Sequence, residues 1–378
     1  MAKQSMVAVA VALLLGAFAT TIPPKGKVDS AGVQSIGVCY GRMGDNLPAA
    51  SDVVQLYKAN GIESMRIYDT DPDTLQALDG SGIGLVVGIS RDDLVNLASS
   101  PSAAAKWVQD NVAAFPGVSF RYIAVGNEAV GYGFDGAYVL PALRNLDDAL
   151  SRAGLRGSIK ASTVVSSAVV TTAAFLPSTG NFFSASNMTP IARYLASTGA
   201  PLLANLYPYF AYVNSRTTID IDYALFKLSP ARLVVRDGDY NYTNLFDALV
   251  DAFYWALERA GAGNVTVVVS ETGWPSAGGD AATATRARTY NQNLISHVTK
   301  GTPKRPGAME AYIFAMFNEN MRPGADLEQN FGLFNPDKSP AYPGGSLFAP
   351  TTSTLPYPIL STKRGISLII PFQNTGAH

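Results

Sequence analysis

Residues 122–136 read YIAVGNEAVGYGFDG, and two incompatible sites can be drawn from them. The spacing Gly131-x-Gly133-x-x-Gly136, behind an apolar run and ahead of a helix-like stretch, is that of a dinucleotide-binding loop in a doubly wound sheet. Just upstream, Asn127-Glu128 closes the apolar run with a carboxylate, as a catalytic strand end of a (β/α)8 barrel does. A dinucleotide loop sets its first glycine at the tight strand-to-helix turn and wants an acid about 20 residues further on, after a second strand. Asp147 and Asp148 instead fall inside the helix-like ALRNLDDALSRAG. The glycines therefore read as a flexible βα loop beside a cleft, and the chemistry falls to Glu128.

Outward from this stretch the same pattern recurs. The run FRYIAVGN (120–127) has seven counterparts: IGVCY (36–40), MRIYD (65–69), LVVGIS (85–90), IKAST (159–163), LLANLYPY (202–209), VTVVVSE (265–271) and AYIFAMF (311–317). They are continuous rather than alternating, which suits strands covered on both faces. Most are followed by helical spacing. Asn46 is expected to cap a helix with Pro48 in its first turn, an apolar face of Val53, Val54, Leu56 and Tyr57, and a stop at Asn60-Gly61. Tyr290, Leu294, Ile295 and Val298 form a second stripe. Eight alternations predict a single (β/α)8 TIM barrel over residues 36–342. A doubly wound sheet with an appended domain fits less well, because no Pro/Gly/Ser-rich linker divides the chain near its middle. Phe210 to Asn244 is longer than a barrel loop needs and reads as a small excursion after strand six, on the face where function is built.

The 378 residues, 47% of them hydrophobic, can bury a sizeable core. Lys+Arg 28 against Asp+Glu 29 gives a net charge of -1 without a long basic run, which argues against nucleic acid or an anionic membrane as partner and for a neutral or polar one. Residues 1–35 are expected to hold a signal peptide and a short N-terminal segment. Lys3 precedes the apolar MVAVAVALLLGAFAT, which is shorter than the roughly 18 to 20 residues a membrane anchor needs. The expected destination is extracellular or cell-wall. Residues 343–378, rich in Pro, Ser and Thr, read as a poorly ordered tail whose GISLIIPF is too short for a span or a lipid-anchor signal; were the tail a sorting signal, the vacuole would be the destination. Asn187, Asn241 and Asn264 begin glycosylation sequons, in keeping with export. A single cysteine, Cys39, permits no intrachain disulfide and reads as a buried thiol.

Only two histidines exist, His297 in a helical stripe and His378 at the end, which removes most Ser-His-Asp, Cys-His and His-based metal sites. Carboxylates remain. Glu128 closes strand four and Glu271 closes strand seven, each flanked by small residues that permit close approach of a ligand. Such a pair suits glycoside hydrolysis, whose oxocarbenium-like transition state needs a proton donor on one side of the anomeric carbon and negative charge on the other. Each acid alone is equally a solvated loop carboxylate or a helix cap; together they point to function. Trp274, three positions after Glu271, could stack on a sugar face or be a core indole.

Longer motifs carry a family resemblance. IGVCYGR, NLPAASDVVQLYKANGI, VGNE, LLANLYPYFAY, VVVSETGWPSAGG, RTYNQNLISHV, YIFAMFNEN and NFGLFNPDKSPAY together resemble the plant family 17 glycoside hydrolases, the endo-1,3-β-glucanases and the related 1,3;1,4-β-glucanases, over residues 36–342. The resemblance implies a (β/α)8 barrel, retention of anomeric configuration, no cofactor and no metal, a β-glucan substrate, a monomer, and a role in cell-wall turnover or plant defence. It maps the acid/base to Glu128, the nucleophile to Glu271 and a 2-hydroxyl contact to Asn127. It places Tyr68, Tyr207, Phe317 and Trp274 as aromatics around the cleft, with Glu319 and Glu328 as supporting acids. Arg322 departs from it by standing where relatives commonly carry lysine, so that a planar fork replaces a point charge. Endo-1,3 activity is the expectation, with 1,3;1,4-glucanase activity, a non-catalytic glucan-binding protein and a nicotinamide-dependent oxidoreductase as the alternatives.

Overall fold

The eight apolar runs become eight parallel strands: β1 (Ile36–Cys39), β2 (Ser64–Ile67), β3 (Gly84–Gly88), β4 (Ser119–Asn127), β5 (Lys160–Ser166), β6 (Leu202–Asn205), β7 (Val267–Thr272) and β8 (Ala311–Ile313). Each pairs with its neighbours in chain order, and β1 pairs with β8 to close the barrel. The computed structural model describes residues 36–131, 135–171, 176–229 and 235–348. The leader-like segment, Gly133 and the tail beyond residue 348 lie outside these.

Why the strands lack alternation is now visible. All of β3 and β7 is buried, with one face against the helices and the other inside the barrel. The interior is filled by Cys39, Val86, Ala124, Val164, Leu203, Val268 and Tyr312, one from each of seven strands. At β2 the position in register with Cys39 and Val86 is Arg66, so a guanidinium occupies a layer that the other strands fill with a thiol and apolar groups. Burial pushes the Cys39 thiol up to about 12, as befits a packing residue and not a nucleophile.

The helices α1 (Ala50–Ala59), α2 (Pro72–Leu78), α3 (Arg91–Ser99), α4 (Pro101–Val108), α5 (Gly136–Arg152), α6 (Ala185–Thr198), α9 (Leu245–Arg259) and α10 (Ala284–His297) clothe the barrel. Several start on side-chain caps: Asp71, Ser90, Ser100, Asn244 and Thr283 each accept a backbone N–H of the first turn. The expected Asn46 cap is not used. Helix α1 begins at Ala50, with Ala49 as a cap that lacks a side-chain bond. Pro48 disfavours helical backbone at Leu47, which moves the start past the proline. The expected stop holds: Asn60 ends α1 and Gly61 adopts φ +63°.

The excursion after β6 consists of α7 (Pro208–Asn214), α8 (Ile221–Ala224) and an antiparallel hairpin of Val235–Asp237 with Tyr240–Tyr242. A second hairpin, Val170–Thr171 with Asn181–Phe182, follows β5 and was not foreseen. Asp237 accepts hydrogen bonds from the backbone N–H and hydroxyl of Ser178, both at 2.5 Å, and so fastens the two excursions together. No helix among the described residues is long and apolar enough to cross a membrane.

Candidate active site

Strand β4 does not end flush. Its register with β5 slips between Ala124 and Asn127, Gly126 takes φ +71°, and Glu128, the first residue past the strand, takes φ +55°. A side chain at Gly126 would bring a Cβ within 2.9 Å of that of Ala129, so this irregular end needs glycine. Left-handed backbone is costly for a glutamate, and such strain gathers where a side chain has to be aimed. A bond of 2.9 Å from the Glu128 N–H to the Val164 carbonyl pins the turn. Strand β7 slips in the same way beyond Val269, next to Glu271.

Glu271 is 6% exposed and is met by three donors. Arg66 lies 2.9 Å and the Tyr68 hydroxyl 2.8 Å from Oε1, while the Tyr207 hydroxyl donates to Oε2 at 2.8 Å. A buried carboxylate paired and hydrogen-bonded in this way is locked in orientation. Arg66 also donates to the Asn205 Oδ1 at 3.0 Å, the Ser270 carbonyl at 2.8 Å and the Asn127 Oδ1 at 2.8 Å. One guanidinium on β2 thereby ties together β4, β6 and β7.

Glu128 faces the cleft in different surroundings. Partial exclusion of water raises its carboxyl above the ordinary range; the hydrogen bond from Asn205 opposes this, the charge of Glu271 adds to it, and Arg66 again opposes. The two glutamates are therefore chemically unlike, one clasped by donors and the other biased toward its protonated form. They line one lobe of the cleft, beside Tyr207, Phe210 and Phe331. A second lobe, lined by Tyr40, Arg42, Met43, Tyr68 and Asp69, shares Asn127, Glu128 and Arg322 with the first. Glu128 therefore stands where the two lobes of the cleft meet, and Glu271 lines the first of them.

Glu319 is 2% exposed and accepts from Arg322 at 3.0 Å, and Glu328 lies 3.7 Å from the same guanidinium, which stacks over Phe314 at 4.5 Å. The planar fork at residue 322 thus serves two acids and an aromatic face, contacts that an ammonium group would divide differently. Gly41 lets Glu319 come close, since a Cβ there would sit 2.1 Å from its Oε1.

Two aromatics expected around the cleft are not there. Trp274 is fully buried, its Nε1 donating to the Ala281 carbonyl at 3.0 Å and its ring packed on Tyr209 and Tyr290. Phe317, 2% exposed, lies edge-on to Tyr40 in the core. Both follow a strand end, but Trp274 turns toward Tyr290 of α10 and Phe317 toward Tyr40 and away from solvent. Tyr68 and Tyr207 do reach the cleft, chiefly as donors to Glu271. Arg66 and Asn205 were not anticipated, although each is a polar residue inside or closing an apolar run, MRIYD and LLANLYPY. The dinucleotide reading fails on the topology, since the sheet is closed and the helix after β4 starts eight residues beyond Glu128, at Gly136. Among the described residues no group of three or more His, Cys, Asp or Glu is placed to hold a metal ion.

Two strand-end glutamates of unlike environment, on β4 and β7 of a closed parallel barrel, are the equipment of a glycoside hydrolase. The chain belongs to the glycosyl hydrolases family 17, whose family model matches residues 36–343. It is 61% identical over 346 residues to the acidic isoform of glucan endo-1,3-beta-glucosidase of Zea mays, covering 91% of this chain and 99% of that protein. It is 53% identical over 315 residues to Lichenase-2 of Hordeum vulgare, covering 82% and 98%. Among solved structures it resembles one from a pair of plant beta-glucan endohydrolases with distinct substrate specificities (TM-score 0.78, 52% identity, 81% of this chain and 99% of that one). It also resembles CJP38, a beta-1,3-glucanase and pollen allergen of Cryptomeria japonica (TM-score 0.79, 46% identity, 83% and 99%).

Proposed function

We propose that this protein is a secreted, monomeric endo-1,3-β-glucanase that acts with retention on plant or fungal wall β-glucan. The observation that carries the reading is the pair Glu128 and Glu271 in one lobe of a cleft, with Glu128 shared by a second lobe, so that a long chain can extend past the acids and offer them an internal bond. Glu271 attacks C1 while Glu128 protonates the departing glycosidic oxygen; Glu128, now a base, then takes a proton from the water that opens the glycosyl ester. The barley lichenase relative keeps 1,3;1,4-glucanase activity as a second reading. Comparing hydrolysis of laminarin and barley mixed-linkage glucan separates them. Faster hydrolysis of laminarin is expected, and preference for the barley glucan would overturn the choice. By NMR the β-anomer should form first; an initial α product contradicts double displacement.

The pH profile follows from Glu128. A proton donor works while protonated, and a carboxyl raised by partial exclusion of water at the cleft wall keeps its proton to higher pH, so kcat/KM should hold through the ordinary glutamate range and fall only above it. A basic limb at or below about 4.3, the value for an unperturbed glutamate, would contradict the acid assignment.

Export would deliver the chain, cut from its leader, to the cell wall, or to the vacuole if the tail is read as a sorting signal. In the folded chain Asn241, on the hairpin after β6, and Asn264, after α9, are exposed, whereas Asn187 lies half-buried in the first turn of α6. Glycans are expected at Asn241 and Asn264 and not at Asn187. Peptide mass spectrometry after enzymatic deglycosylation of protein from a secreting host checks this, and glycan on Asn187 alone would refute it.

A further inference from the structure

Asn205 closes β6, is 2% exposed, and sits between the two acids. Its Oδ1 accepts from Arg66 at 3.0 Å and from the Ser270 hydroxyl at 2.9 Å. Its Nδ2 donates to the Glu128 Oε1 at 2.7 Å and to the Asn127 Oδ1 at 3.2 Å. All four hydrogen-bonding positions of the carboxamide are filled. Its orientation is forced, because Arg66 can only donate and must face the oxygen. The amide N–H groups are thereby presented to Glu128, and cannot be turned away without opposing N–H to guanidinium.

We propose that Asn205 is the positioning residue of the proton donor: its N–H occupies Glu128 Oε1, so the catalytic proton resides on Oε2 and is delivered from there. An oxygen that accepts a short N–H bond is a poor place for a proton, and the carbonyl-like oxygen of a carboxylic acid is the better acceptor. On reaction the Oε2 proton passes to the glycosidic oxygen as its bond to C1 breaks and the bond from Glu271 to C1 forms. The Oε1 contact persists, so the same oxygen, Oε2, later takes the proton from water. A donor also favours the ionised carboxyl, so the contact trims the rise that partial exclusion of water imposes on Glu128 and keeps the acid ready to give up its proton. This inference rests on Glu128 being the acid/base.

The test uses Asn205→Ala and the near-isosteric Asn205→Asp, with Glu128→Ala in parallel, on laminarin and on dinitrophenyl β-laminaribioside, whose leaving group needs no proton. For Asn205→Ala, kcat/KM on laminarin should fall by at least about tenfold, within the range that proton transfer contributes. On the aryl glycoside it should stay within a few-fold. In both Asn205 variants the basic limb on laminarin should move to higher pH. Equal losses on both substrates, or an unmoved limb in the Asp variant, overturn the proposal and leave Asn205 a packing residue. If Glu128→Ala spares the aryl glycoside while Asn205→Ala does not, the role of Asn205 fails and the acid assignment stands. Undiminished laminarin turnover by Glu128→Ala overturns both.

Discussion

Glu271→Gln is expected to lower laminarin turnover by roughly four to six orders of magnitude, the scale on which enzymes suffer when their covalent nucleophile is removed. The amide keeps the size of the side chain and can still accept from Tyr68 and Arg66 through its oxygen, so the pocket retains its shape. On the proposed mechanism, what is lost is the charge that stabilises the oxocarbenium-like transition state and the oxygen that forms the glycosyl ester. Two measurements separate loss of chemistry from loss of fold: a denaturation curve and binding of laminarin oligosaccharides, neither of which should change nearly as much as turnover. A variant with normal turnover would remove Glu271 from the mechanism.

The second large effect is expected at Arg66. Arg66→Met keeps most of the stem and removes the guanidinium, leaving a carboxylate that is 6% exposed without its cation. Breaking a buried pair by deleting one partner typically costs about 3–5 kcal/mol. Asn205, Asn127 and the Ser270 carbonyl would lose a donor as well. Both denaturant midpoint and turnover should therefore fall, and Arg66→Lys should restore only part of either, because one ammonium cannot reach Glu271 and Asn127 from a planar fork's two corners. A methionine variant as stable as the parent would show that the pair adds nothing to the fold.

Much of this architecture can be read from residue order. A parallel barrel buries both faces of every strand, so its strands appear as unbroken apolar runs, and a glutamate that ends such a run is conspicuous; Glu128 and Glu271 were legible for that reason. Arg66 was not, because a charge inside a run reads as an interruption until the barrel closes and supplies Glu271, Asn127 and Asn205 from three other strands. Asn205 was hidden likewise, since its partners Arg66, Asn127, Glu128 and Ser270 lie 65 to 139 residues away along the chain. Trp274 and Phe317 show the opposite limit. Position after a strand end says that a side chain is near the mouth, whereas the turn of the backbone there decides whether it faces sugar or core. The hairpin after β5 was missed because two-residue strands carry too little pattern to be recognised.

The guanidinium of Arg66 joins groups from three strands to its own across a closed ring. A clasp of that kind, with Asn205 as its link to Glu128, fixes the spacing of Glu128 and Glu271 before any polysaccharide arrives, and leaves the protein little freedom to reshape itself around what it binds. The flattening of the sugar ring on the way to the transition state must then be borne by the glucan, pressed against a mould that does not yield, and the force for it comes from the neighbouring sugars held along the two lobes. Short oligosaccharides, lacking those neighbours, would be slow to react even when they bind.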